Sequence, residues 1–265
     1  MKAKVNGIEV NYEIHGKEGA PWLTFSHSLA CSVRMWDPQV AAFQDRFRIL
    51  LYDTRGHGGS EAPKGAYTLD MLAEDLRQLL AELKIKRTHY VGLSMGGMIG
   101  QVIALTDPGV LDRVVLADTG HTQTPETKKQ WEERIRTAET RGMQPLVQPT
   151  LERWFTEPFR SNQPEAVDRI RKLIQSTPVP GYVGCCHAIS NLNTTARLKE
   201  IEKPLLAIAG EQDAAAPGTR YIGENVPGAR LVMLASAAHI ANIEQADAFN
   251  RALREFLSSP ASARA

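Results

Sequence analysis

Hydrophobic positions in this chain follow two rhythms. The first is the short run. Trp22–Phe25, Ile49–Tyr52, Tyr90–Leu93, Val114–Ala117, Leu205–Ala209 and Leu231–Leu234 are nearly continuous apolar stretches bounded by turn-forming residues. A strand with one wet face alternates, so runs without alternation predict strands buried on both faces, as in a parallel sheet. The second rhythm is helical. From Asp70 to Lys84, Leu72, Leu76, Leu79, Leu80 and Leu83 recur three or four residues apart. Ala248, Phe249, Ala252, Leu253 and Phe256 repeat the pattern between Glu244 and Leu257. Each set lies along one helix face. Near the start, Ile8, Val10 and Tyr12 alternate with Glu9 and Asn11, which predicts a half-exposed edge hairpin.

Strands alternating with helices predict an α/β fold with a doubly wound, mostly parallel sheet. The stretch from Thr124 to Glu200 breaks that rhythm. It is charged and proline-rich, with helical periodicity and no clear strands, yet it carries Trp131, Trp154, Phe155, Phe159 and Tyr182. So many aromatics need a surface to bury against. The expectation is therefore a core of residues 1–123 and 201–265 with an inserted helical cap, 124–200. The tail Ser258–Ala265 is expected to fray.

Composition narrows the function classes. The chain has 265 residues, 31 Lys+Arg against 30 Asp+Glu, and 43% apolar residues, as in an ordinary globular protein. A net charge of +1 argues against nucleic acid or an anionic membrane as partner, since both favour a basic excess. Of three cysteines, Cys185 and Cys186 are adjacent, which offers neither a disulfide framework nor zinc-ribbon spacing. No metal is expected. The start has no signal-peptide apolar region, and no apolar run approaches the ~20 residues of a membrane span. A cytoplasmic location is the expectation.

The strongest chemical signal is Gly92-Leu93-Ser94-Met95-Gly96-Gly97, set between an apolar strand and the apolar helix Met98–Leu105. G-x-S-x-G in strand–turn–helix context is the nucleophile elbow of serine hydrolases. Its turn is so tight that side chains at Gly92 or Gly96 would collide. A serine hydroxyl needs a base and an orienting carboxylate. His239 is best placed as the base, after the strand Leu231–Leu234 and a run of small residues; His121, just after a strand, is its competitor. Asp213 is chosen as the acid because it lies just past the carboxyl end of Leu205–Ala209, where α/β sites form. Asp118 is the runner-up acid, with capping a turn as its plainer role, and Glu211 stands third. The order Ser94, Asp213, His239 is the hydrolase order. For the oxyanion hole the backbone N–H of Met95 and of Leu29, in the loop Ser26-His27-Ser28-Leu29-Ala30, are the candidates.

The segment Asp53-Thr54-Arg55-Gly56-His57-Gly58-Gly59-Ser60 tempts a nucleotide-binding reading. Glu61 occupies the last glycine position of G-x-G-x-x-G, and no Gly-Lys-Ser/Thr follows, so both phosphate-loop readings fail. No cofactor is expected, and Asp53 and Arg55 read as residues that fix a loop.

Taken together, the Asp53–Ser60 loop, Gly92–Gly97, Asp213 and His239 make the chain resemble the α/β-hydrolase superfamily over nearly its whole length. Within it, the chain is similar to bacterial 3-oxoadipate enol-lactonases of aromatic catabolism. The stretches that carry this are Met35-Trp36-Asp37-Pro38-Gln39, Tyr52–Gly59, Gly92–Gln101, Arg153-Trp154-Phe155, Gly181–Cys186 and Asn242-Ile243-Glu244-Gln245. Two departures stand out. His27-Ser28-Leu29-Ala30 replaces a frequent Asn-Ser-Leu-Gly, and Ser190-Asn191-Leu192-Asn193 replaces a charged stretch. The resemblance implies two-step acyl transfer on a small-molecule ester or lactone. Trp131, Arg134, Arg153 and Trp154 are the cap residues expected at the substrate, the arginines against a carboxylate. General carboxylesterase action, or perhydrolase and cofactor-free peroxidase-like chemistry with the same triad, are the alternatives. Self-association into a homo-oligomer is compatible with this pattern.

Overall fold

The computed structural model describes residues 1–259. Asn6 and Gly7 take left-handed backbone angles, φ 45° and 78°, and close a two-residue hairpin between β1 (Lys2–Val5) and β2 (Ile8–His15). Six further strands follow: β3 (Trp22–Ser26), β4 (Arg48–Tyr52), β5 (Thr88–Leu93), β6 (Leu111–Ala117), β7 (Leu205–Gly210) and β8 (Arg230–Leu234). Their order in the sheet is β1-β2-β4-β3-β5-β6-β7-β8. The hairpin adds antiparallel strands at one edge, and every other pairing is parallel. This is the doubly wound, mostly parallel α/β sheet that the continuous apolar runs predict. From β3 the chain moves outward to β4, then returns to place β5 on the other side. Such a reversal opens a crevice at the carboxyl ends of β3 and β5.

Burial follows position in the sheet. Every residue of β7 is buried, whereas in β8 only Leu234 is. The run Leu231–Leu234 was expected to be covered on both faces. It is the edge strand, with no neighbour beyond it, so its outer side chains stay half-exposed.

Helices α1 (Asp37–Phe43), α2 (Leu69–Glu82) and α3 (Met95–Thr106) connect the first strands. Thr68 caps α2 by accepting a hydrogen bond from Met71 N–H at 3.0 Å. Between β6 and β7 stand five helices: α4 (Pro125–Arg141), α5 (Gln144–Trp154), α6 (Glu157–Asn162), α7 (Pro164–Ser176) and α8 (Val179–Ser190). The aromatics of this segment do find cover: Trp154, Phe155 and Tyr182 are buried, and Phe155 stacks on Phe159 at 5.1 Å. Gly56, at φ 82°, comes so close to α8 that a Cβ on Gly181 would lie 2.0 Å from its carbonyl oxygen. Helix α9 (Ala216–Asn225) follows β7.

The single helix expected from Glu244 to Leu257 is two, α10 (Ala241–Glu244) and α11 (Ala246–Ser258). Gln245 breaks them with a non-helical φ of −126°. At the break, the buried carboxylate of Glu244 turns inward to Thr156 and Ala238. Of the tail expected to fray, Ser258 ends α11 and Ser259 accepts hydrogen bonds from Arg113 and Arg230. The rest of that tail lies outside the described residues. Among the described residues no helix is long and apolar enough to cross a membrane.

Candidate active site

Ser94 sits between β5 and α3 with φ 56° and ψ −112°, a region that a side chain other than glycine's seldom visits. Neighbouring hydrogen bonds hold it there. Ser94 N–H donates to Ala117 O at 2.8 Å, and Thr119 Oγ1 donates to Ser94 O at 2.8 Å. Tyr90 OH donates to Gly96 O at 2.6 Å. The glycines answer to space. A Cβ on Gly92 would lie 2.2 Å from Gly96 O, and one on Gly96 would lie 2.1 Å from Ser26 O. Helix α3 thus starts at Met95, three residues before the expected Met98, with its N-terminus against the end of β3.

The loop after β3 is pinned by two buried histidines. His27 Nε2 accepts from Thr54 N–H, and His57 Nε2 accepts from Ala30 N–H, both at 2.9 Å. Burial pushes the basicity of both rings down, that of His57 to a pKa of about 3, so each stays neutral and keeps its acceptor nitrogen. The loop beneath is fixed by Asp53, which accepts from Val33 N–H, Gly59 N–H and Asn11 Nδ2, each at 2.8 Å. Arg55 forms a buried two-bond pair with Asp75, at 2.8 and 2.6 Å. Ala30, where the lactonases often carry glycine, adopts φ 57°. Neither Leu29 N–H nor Met95 N–H is used in the loop, turn and cap hydrogen bonds of the described residues. The buried Ser28 hydroxyl also has no partner there.

His239 and Asp213 are brought together. Nδ1 of His239 lies 3.0 Å from both carboxylate oxygens of Asp213. Asp213 Oδ1 also accepts from Ala215 N–H at 3.0 Å. The turn carrying His239 is anchored by Glu244. Its Oε2 accepts from Ala238 N–H at 2.8 Å, while Oε1 accepts from Thr156 N–H at 2.9 Å. One buried carboxylate therefore ties the His239 turn to the end of α5. Sequence reasoning missed Glu244. Its only signal was membership of the Asn242–Gln245 stretch, because burial of a carboxylate is not written in its neighbours.

Of the competitors, His121 and Asp118 line the same cavity but make other contacts. His121 faces Thr195 Oγ1 at 2.7 Å and stacks on Tyr221 at 4.2 Å, with no carboxylate beside it. Glu211 is exposed, its N–H bonded to Leu234 O. Asp118 is fully buried and lies beside Asp213, and Gly210 N–H donates to its Oδ1 at 2.8 Å.

Ser94, Asp213 and His239 line one cavity of about 390 Å³, together with Ser28 and Leu29. That volume suits a small molecule. Its far wall comes from α4 and α5. Trp131, Arg134, Arg153 and Trp154 all reach it. Trp154 packs on His239 with ring centres 5.8 Å apart, and the Arg134 guanidinium lies 4.4 Å from the centre of the Trp131 ring. Among the described residues no cluster of His, Cys, Asp or Glu could hold a metal ion.

An elbow serine at a strand end and a His–Asp pair, lining one cavity, define a class. Residues 21–246 match the alpha/beta hydrolase fold, and the chain belongs to the α/β-hydrolase family. Its relatives narrow the resemblance further. It is 36% identical to 3-oxoadipate enol-lactonase 2 of Acinetobacter baylyi, covering 93% of this chain and 92% of that one. The crystal structure of the enol-lactonase from Burkholderia xenovorans LB400 superposes with a TM-score of 0.94 at 40% identity, covering 98% of this chain and all of that one. A putative carbamate hydrolase of Agrobacterium fabrum is 31% identical, over 94% of this chain and 98% of the relative.

Proposed function

We propose that this α/β-hydrolase, an ester or lactone hydrolase, acts by Ser-His-Asp acyl transfer on a small lactone that carries a carboxylate, with 3-oxoadipate enol-lactone as the substrate. The observation that carries the reading is that Ser94 and the bonded His239–Asp213 pair line one cavity. His239 takes the Ser94 proton as Oγ attacks the lactone carbonyl, and Asp213 holds the imidazole and stabilises its cationic form. The negative oxygen that develops is met by the N–H groups of Leu29 and Met95, each worth ~3 kcal/mol in comparable sites. His239 then returns its proton to the departing enol oxygen. Water, activated by the same ring, cleaves the acyl-enzyme and frees the diacid.

Arg134 and Arg153 support an acidic substrate. Both line the cavity, and among the described residues neither pairs with a carboxylate. A substrate carboxylate would supply the missing anion. The activity belongs to aromatic catabolism in the cytoplasm on this reading. Carbamate hydrolysis is the second reading, favoured by the relative of that name. The test is kcat/KM for 3-oxoadipate enol-lactone, a neutral acetyl ester and a carboxylated carbamate, each with wild type and Ser94→Ala. Lactone turnover at least tenfold above the others, lost in the variant, is expected. Preference for the neutral ester would overturn the acidic-substrate reading.

A further inference from the structure

Asp118 directly follows β6 with its backbone held in the left-handed region, φ 46°, its N–H donating to Ile208 O at 2.8 Å. An aspartate tolerates that conformation, and here it aims the carboxyl at the end of β7. Oδ1 accepts from Gly210 N–H at 2.8 Å. Gly210 also receives Asp213 N–H on its carbonyl at 3.1 Å, so one residue holds the Asp118 carboxyl and the Asp213 backbone. The other oxygen is anomalous. Oδ2 is buried and has no hydrogen-bond partner among the described residues, with the backbone of Ala241 nearby and acting on the group. A buried carboxylate oxygen without a donor is costly. Asp213, another carboxylate, lines the same cavity and acts on the group electrostatically, and His239 is bonded to Asp213. Two facing carboxylates cannot bond until one carries a proton.

We propose that Asp118 is a neutral carboxylic acid whose Oδ2–H donates a hydrogen bond to Asp213, making it a positioning residue for the carboxylate that orients His239. Burial and the neighbouring Asp213 charge both push the proton affinity of Asp118 well above the usual carboxylate range. Asp213 is left as the ionised partner, because it has the imidazole N–H and Ala215 N–H to accept. The shared proton neutralises part of the charge that Asp213 presents to His239. The ring is thus held in place by a carboxylate whose charge is partly offset. This inference rests on the acyl-transfer reading of Ser94, His239 and Asp213.

Asparagine is the natural probe, since its oxygen accepts from Gly210 N–H and its amide donates to Asp213. With Asp118→Asn, kcat/KM on a neutral ester is expected to stay within about threefold of wild type, with the acidic limb of the pH profile unmoved. Asp118→Ala removes the donor. Its kcat is expected to fall about tenfold or more at unchanged KM, and its acidic limb to move to higher pH, because an unneutralised Asp213 makes His239 more basic. Infrared difference spectra of wild type against Asp118→Asn should show the C=O stretch of a neutral carboxylic acid in wild type alone, whatever the substrate. Absence of that band, or an acidic limb that moves to lower pH in Asp118→Asn, would show that Asp118 is ionised and overturn the proposal. Loss of activity in Asp118→Asn with Asp213→Asn active would make Asp118 the triad acid instead. Turnover that survives Ser94→Ala would sink the acyl-transfer reading, and the infrared band would still report on Asp118 by itself.

Discussion

The floor of the cavity and its far wall are built by different means. On the floor each reactive side chain hangs from backbone that is itself hydrogen-bonded: Ser94 between Ala117 and Thr119, Asp213 on Gly210, and the residue before His239 on Glu244. On the wall, Trp131 and Arg134 are half-exposed on α4, and Arg153 is exposed on α5. Trp131 holds only Gln123 by its indole N–H, at 3.1 Å. The acyl transfer proposed for this site would tolerate little misplacement, and the clamped floor suits that demand. The exposed part of the wall lacks such ties, whereas Trp154 packs on His239. On the proposed function, chemistry and choice of substrate are separable to that extent, and substitutions can test how cleanly.

Ser94→Ala should cut kcat by about 10⁴-fold or more with an unchanged melting temperature, and Asp213→Asn should approach the same loss. Steady-state kinetics and thermal melts on the same samples decide this. Gly96→Ala asks whether the floor has slack. With a Cβ forced to 2.1 Å from Ser26 O, it should lose a few kcal/mol of stability, read from urea unfolding. Next comes the tie between the two regions. Glu244→Gln keeps an acceptor for one of the two backbone donors but loses the charge, so kcat should fall about tenfold to a hundredfold while KM changes little. A large KM effect instead would mean that floor and wall are not separable.

Arg134→Ala should raise KM for a carboxylated lactone about tenfold, the worth of one charge-assisted hydrogen bond, and leave a neutral ester untouched. Equal effects on both substrates would assign the arginine to packing. The last expectation concerns pH and is invisible above neutrality. His57 titrates near 6.5 in the unfolded chain and at about 3 when folded. Between those values the unfolded chain binds a proton that the fold refuses. Stability should be complete above pH 6.5 and fall as pH drops toward 3, with His27 adding in the same direction. Melts from pH 7 to 4 should show a shallower decline for His57→Gln.

Much of the floor was legible before any coordinates. Continuous apolar runs locate buried strands, and Gly92 and Gly96 record a collision that only glycine avoids, a constraint local enough to be read from spacing. Asp213 and His239 follow from their places just beyond β7 and β8. The rest depends on contacts made across the fold. Nothing beside Glu244 in sequence says that Thr156 will come within 2.9 Å of its carboxylate. Asp118 could be read as turn cap or acid because its neighbour Asp213 lies 95 residues on. Leu231–Leu234 looks as apolar as any central strand, since being last in a sheet leaves no mark on composition. The break at Gln245 has the same origin, for the helical periodicity runs straight through it.

The backbone contact between Gly56 and Gly181 carries a consequence for engineering. At that point a loop of the sheet domain and helix α8 touch main chain to main chain, with no side chain to trim or rotate. Exchanging residues 124–200 for the equivalent segment of another hydrolase, to import a different specificity, would succeed only with a donor that also carries glycine at this crossing. A donor with alanine there would dock displaced, shifting α4 and α5 relative to Ser94. Libraries of chimaeras can be filtered on that single position before any is made.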